Sequence, residues 1–246
     1  MSCKKLYLLP VFLFLFLPAS VLITLAISII YDHVSPVFPY ISDTGAFPPE
    51  SCIFGLLLNF AAYTMLGSIY MRYLQVEYYV TAKPGKGVGH NFNKVTAIIG
   101  AVSCLGLDIV ANFQVISLID VHMTGAMLCF GTGIVYFALQ VWISYKIPGV
   151  TSKHVLLVRT VFVILCCTAT IITIGAGIAA YRIYPGTYED ARHWKREEPG
   201  WELHLVSTIS EWIMCMLYSF LMLSFVPDLW GYELVLPKVM PKDNKC

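Results

Sequence analysis

Apolar residues come in six long runs along the chain, at about 6–30, 53–72, 95–116, 122–145, 156–181 and 204–226. Each is close to the roughly 20 residues a helix needs to cross hydrocarbon. None shows the strict alternation of a half-buried strand. The pattern predicts an all-α polytopic membrane protein, with six transmembrane helices in one bundle. It forms a single domain over 1–246, ending in a tail over 227–246. Within the runs, small or weakly polar residues recur every four positions: Ser20, Thr24 and Ser28; Gly125, Cys129 and Gly133; Ala169, Thr173 and Gly177. Such stripes let helices approach closely. The first run follows Lys4-Lys5 in the manner of a signal peptide. It continues through Val21–Ile30, past the 7–15 residues of a cleavable core, and is read as a retained helix.

The intervals between the runs carry the punctuation. The interval 32–52 places Pro36, Pro39, Pro48 and Pro49 among Phe38, Tyr40, Ile41 and Phe47. Proline stiffens it and the apolar side chains give it something to bury, so an ordered cap is expected. Its Asp43-Thr44-Gly45 is the triplet of aspartic proteases, whose chemistry needs two carboxylates sharing a proton. With one triplet and no β pattern, it is read as a turn, with Asp43 bonding backbone amides and Gly45 at positive φ. The glycines of 83–89 do not meet the phosphate-loop pattern and are read as a flexible connection. The mixed charges of 182–203 are read as a solvated connector.

Composition agrees. Only 13% of residues are charged, about half the ~25% of soluble domains. Net charge is +1, with no block of five or more basic residues. Nucleic acid is not an expected partner, and a strong lipid-surface patch is not supported. The expected partner is the bilayer itself. Twelve Lys and Arg flank the runs on the side of the N-terminus, against four opposite. By the positive-inside rule both termini are cytosolic and the loop 32–52 is lumenal or extracellular. Of eight cysteines only Cys52 falls on the outer side, so no internal lumenal disulfide is expected, and Cys52 is read as a buried thiol at a helix start. There is no N-x-[ST] sequon. Cys3 is a candidate for palmitoylation, whereas Cys246 is not in a C-a-a-X box.

Candidate chemistry is sparse. Cys104, Asp108 and Asn112 share a face of the third run, and Ser207, Thr208 and Glu211 share one of the sixth. An intramembrane acid must face protein or water. If the third and sixth helices neighbour, Asp108 and Glu211 could meet near His122 and His204, sharing a proton or binding a cation. The alternative is that each acid is bonded separately in helix packing. Asn112, Asp108, His122, His204 and Glu211 are the candidate lumen-facing polar site. A metal needs three or four converging ligands, so no metal or cofactor is expected, and no hydrolase pattern is present. In the tail, Gly231-Tyr232-Glu233-Leu234-Val235 holds a Tyr-x-x-Φ sequence close to the membrane. It resembles a sorting signal read by adaptors, with Gly231, Tyr232 and Val235 its key positions.

Pro39-Tyr40-Ile41-Ser42-Asp43-Thr44-Gly45, followed by Pro48-Pro49-Glu50-Ser51-Cys52, resembles the signature loop of the DNA-damage-regulated autophagy modulator family and its Frag/Sfk relatives. Asn59, Arg72-Tyr73, Ala111-Asn112-Phe113-Gln114, His122, Ser144-Tyr145-Lys146 and Glu211-Trp212 extend the resemblance over nearly the whole chain. It implies a six-helix regulator of autophagy in lysosomal or endosomal membranes, with no catalytic residue. The alternative membranes are the plasma membrane and the Golgi. Partners it implies are autophagy machinery or lipid-kinase complexes, with sorting adaptors at the tail. Other branches suggest a lipid-handling protein, related to phosphoinositides or GPI lipids, or an ion channel or proton-coupled carrier. His122 and Glu211 match even the GPI branch. Asp108 departs from the family pattern, which has a small residue there.

Overall fold

The computed structural model describes residues 2–82 and 87–235, with side chains from residue 4 onwards. The fold is all-α, and among the described residues six spans are long and apolar enough to cross a membrane. They are α1 (Leu8–Ile30), α2 (Glu50–Ala82), α3 (His90–Asn112), α4 (Ile119–Met127) continued by α5 (Gly133–Lys146), α6 (Lys153–Ile183), and α7 (Trp201–Leu223) followed by the short α8 (Val226–Leu229). A π-helical turn at Leu128–Thr132 joins α4 to α5. The spans pack as a ring in the order α1, α2, α3, α4–α5, α6, α7, with α7 returning to α1. Two residues near each terminus pair as a minimal antiparallel ribbon, β1 (Ser2–Cys3) with β2 (Leu234–Val235). Ser2–Cys3 and Leu234–Val235 therefore lie at one end of the bundle, the terminal end. The loop 31–49 and the α6–α7 loop lie at the other, the cap end.

Small residues set the closest approaches, as their spacing predicts. A Cβ on Gly106 of α3 would lie 2.3 Å from the Cys129 amide nitrogen, and one on Gly125 would meet Ile109. Ser207 of α7 donates to the Thr173 carbonyl of α6 at 2.7 Å. Tyr136, Phe137, Leu221, Met222 and Phe225 are buried at the centre.

Several expectations change. The second span runs ten residues past its apolar stretch, to Ala82, because Val76 and Val80 bury against Ile143, Ile147 and Val150 at the terminal end. Cys52 is exposed rather than a buried thiol. The α6–α7 loop is more than a solvated connector: Ala191 and Trp194 are buried with Ala180, and Tyr181, Tyr184 and Trp201 pack around them. Arg72 and Arg159, counted as loop charges, are 0% exposed inside the bundle. Without them the count of basic residues is ten against four, and the asymmetry keeps its sign. Lys83, Lys86, Lys238, Lys242, Lys245, Cys246 and the Cys3 side chain lie outside the described residues.

Candidate functional site

The signature loop forms the centre of a folded cap. A 3₁₀ turn at Ser42–Gly45 is held from four sides. From α7, Glu211 Oε2 accepts the Ile41 amide at 2.8 Å. Two residues of the same helix reinforce it: Trp212 Nε1 donates to the Pro39 carbonyl at 2.9 Å, and the Tyr40 hydroxyl donates to Ser207 Oγ at 2.7 Å. From α1, Thr24 and Thr44 share a hydroxyl–hydroxyl bond of 3.0 Å. From α2, Phe54 packs so tightly on Gly45 that a Cβ there would lie 2.3 Å from the ring. From the α6–α7 loop, Tyr188 donates to Asp43 Oδ1 at 3.3 Å, and the Arg192 guanidinium lies 4.6 Å over the Phe47 ring. His33 and Glu50 close the outer edge at 2.5 Å.

Two details of the turn differ from expectation. Gly45 is not at positive φ; it is glycine because the Phe54 ring leaves no room for a Cβ. The Asp43 carboxylate bonds the Tyr188 hydroxyl instead of backbone amides. Asp43 is only 2% exposed. Burial pushes its pKa up to about 6, against the opposing pull of Arg192 and the bond from Tyr188. Loss of hydration disfavours the charged form of a buried acid. Burial likewise pushes the Tyr40 hydroxyl up to about 12 and raises Tyr188.

The five polar candidates separate into three places. His122 and Glu211 line one cavity of about 80 Å³ between α1, α2, α3, α4 and α7. His122 Nδ1 donates to the Phe113 carbonyl at 2.7 Å. Asn112 and Asn59 exchange side-chain bonds of 2.8 and 3.1 Å between α3 and α2, and Asn112 also donates to the Asp108 carbonyl. Asp108 Oδ1 is buried there without a partner among the described residues. Asp108 and Glu211 therefore belong to different environments, one beside the asparagine pair and the other under the cap. His204 sits in an aromatic box, with its ring centroid 4.5 Å from Trp194 and 5.3 Å from Tyr40.

The most extensively bonded polar cluster lies at the terminal end and was missed by spacing alone. Asp228 of α8 accepts from Arg72 Nη1 and Arg159 Nη2, each at 2.8 Å through Oδ2. Arg72 also donates to Gln75, Gln140, Ser144 and Thr151; Arg159 donates to Ser144 and to the hydroxyl and carbonyl of Ser224. Both guanidiniums stack over Phe225, at 5.5 and 4.7 Å. Two buried cations on one carboxylate are tolerable because their donors are satisfied: Arg72 makes five such bonds and Arg159 four. The signal in the sequence is weak: an Arg in each of two apolar helices, and an Asp just after Pro227.

The tail motif rests against this cluster. Tyr232 is half-buried and its hydroxyl donates to Tyr79 at 2.9 Å, while Val235 is 70% exposed in β2.

A family model described as the Frag1/DRAM/Sfk1/Cwh43P N-terminal domain matches residues 5–232. DNA damage-regulated autophagy modulator protein 2 from Homo sapiens is 35% identical over 223 residues, covering 87% of this chain and 83% of the relative. DNA damage-regulated autophagy modulator protein 1 from Homo sapiens is 36% identical over 217 residues, covering 85% of each. The modulator of macroautophagy TMEM150B from Bos taurus is 31% identical over 180 residues, covering 73% of this chain and 66% of the relative. No solved structure matches. With the signature loop folded as a cap over six spans, and these likenesses running nearly end to end, the chain belongs to the Frag1/DRAM/Sfk1 family.

Proposed function

We propose that this chain is a non-enzymatic regulator of autophagy, acting from lysosomal or endosomal membranes with both termini in the cytosol. Relatives named as autophagy modulators support the process. The cap supports the compartment: Asp43 is buried in the signature loop, and burial pushes its carboxyl up to about 6. A group with that value changes charge between the cytosol and an acid lumen. The asymmetry of ten basic residues against four supports placing the cap in the lumen. Sorting adaptors at Gly231, Tyr232 and Val235, and autophagy machinery or lipid-kinase complexes on the cytosolic face, are the partners that fit this orientation.

The test is localisation of an internally tagged chain, with and without Tyr232→Ala, together with autophagic flux. Lysosomal wild type, loss of the mutant to the cell surface and a change in flux are expected. Wild type at the plasma membrane or Golgi with unchanged flux would overturn the proposal.

A further inference from the structure

The cavity under the cap is walled by hydrocarbon and sulfur, from residues such as Leu58, Leu107, Phe130 and Cys215. Of the three hydroxyls on its wall, two are committed elsewhere: Tyr218 donates to the Phe130 carbonyl and Ser219 to the Cys215 carbonyl, while the third, Ser42, belongs to the cap turn. His122 and Glu211 are different. The His122 ring donates through Nδ1 to Phe113, so a neutral ring carries its lone pair on Nε2. Glu211 is engaged through Oε2 by the Ile41 amide. Among the described residues the two form no ion pair with each other. The cavity is thus mainly apolar space with the His122 and Glu211 acceptors on its wall and the Ser42 hydroxyl at its cap side.

Its size and its neighbours narrow the occupant. About 80 Å³ is several times the roughly 10–15 Å³ that one water needs, so it has room for a hydroxyl and a few carbons. The α4 helix packs on α3 and makes no comparable contact with α6 or α7. The flanks of that seam are exposed and apolar: Met123 and Met127 on α4, Ile213 and Met216 on α7. In a bilayer those side chains face lipid, and the thin α4–α7 contact is where a chain leaving the cavity would meet it. A guest must bring a donor for the acceptors and a chain that continues into the membrane.

We infer that this cavity is a binding site for a lipid alcohol. The hydroxyl and its first carbons occupy the cavity, its proton donated to Glu211 or to His122 Nε2. The rest of the hydrocarbon leaves between α4 and α7. Because Glu211 also latches the cap through Ile41, occupancy and cap closure share one carboxylate. The inference does not depend on which organelle holds the chain.

The experiment uses the full chain in phosphatidylcholine nanodiscs and two probes, a long-chain primary alcohol carrying a diazirine and an alkyne, and its methyl ether. Crosslinked peptides are mapped by mass spectrometry. The alcohol should label residues 122–130 and 211–219 about tenfold more than the ether, the worth of one hydrogen bond in an apolar site. Ala126→Phe, which fills the cavity, should remove that labelling. Equal labelling by both probes, labelling confined to other segments, or no labelling would overturn the assignment. The comparison of probes on the unaltered chain holds whether or not the variant folds.

Discussion

Asp43 makes the cap a pH-dependent structure, and the sign follows from the direction of its shift. Its carboxyl is raised from 3.8 to about 6 on folding, mainly by burial. Between those values the closed cap holds a proton that the open cap releases, so stability is full below pH 3.8 and is lost as pH rises through 6. A shift of about two units corresponds to about 3 kcal/mol, at 1.36 kcal/mol per unit. Between pH 5 and neutral pH the expected loss is about 1 kcal/mol, a five- to tenfold increase in cap opening. The groups facing Asp43 are Arg192, Tyr188, Tyr181, Tyr40 and Glu211. Hydrogen exchange of the amides of Ile41, Asp43, Thr44 and Ala46, corrected for intrinsic rates, reads the opening directly, because each is bonded in the closed cap. Protection should be greatest at the acid end and fall steadily from pH 4 toward pH 7. Asp43→Asn should flatten the profile at the protected level. Protection that rises with pH in the unaltered chain, or a slope that survives in Asp43→Asn, would refute the reasoning.

Other substitutions probe the rest of the structure. Asp228→Ala leaves two buried guanidiniums without their carboxylate and should cost about 3–5 kcal/mol, read as a large drop in the thermal midpoint in detergent. Gly106→Val forces α3 away from the Cys129 backbone and should cost about 1–3 kcal/mol, checked by the same melt. Deleting residues 2–5 removes the strand that pairs with Leu234 and Val235. Binding of a tyrosine-signal adaptor domain to the purified chain should then rise severalfold, and unchanged binding would show that the ribbon does not limit access to Tyr232.

The six spans were legible because hydrocarbon demands long apolar runs whatever the fold. Their ends were less so. Amphipathic residues of α2 from Tyr73 to Ala82 read as loop, since half of that stretch is polar and its partners, Ile143 and Val150, lie far along the chain. The ordered cap could be anticipated from proline beside aromatic residues, but not the reason for Gly45, which depends on the Phe54 ring. Of the polar candidates, His122 and Glu211 do share a cavity, whereas Asp108 joins the asparagine pair. Spacing places residues on a helix face; which faces meet depends on the order of helices around the ring. The Arg72–Asp228–Arg159 cluster eluded the sequence for the same reason, since charges near helix ends ordinarily face water and nothing local marks these as buried.

That cluster also imposes an order on biogenesis. Arg72 and Asp228 are 156 residues apart. At about 5–20 residues per second, Arg72 leaves the ribosome some 8–30 seconds before its carboxylate exists. Until then the second span carries a guanidinium without its folded-state carboxylate, and so does Arg159 of the fifth span. The half-made chain must keep both cations near the membrane surface, in water or among lipid phosphates, and draw them inward only when α8 arrives. The last turn of helix is therefore the closing step of assembly. A chain truncated before Asp228 should be retained by quality control even with all six spans inserted.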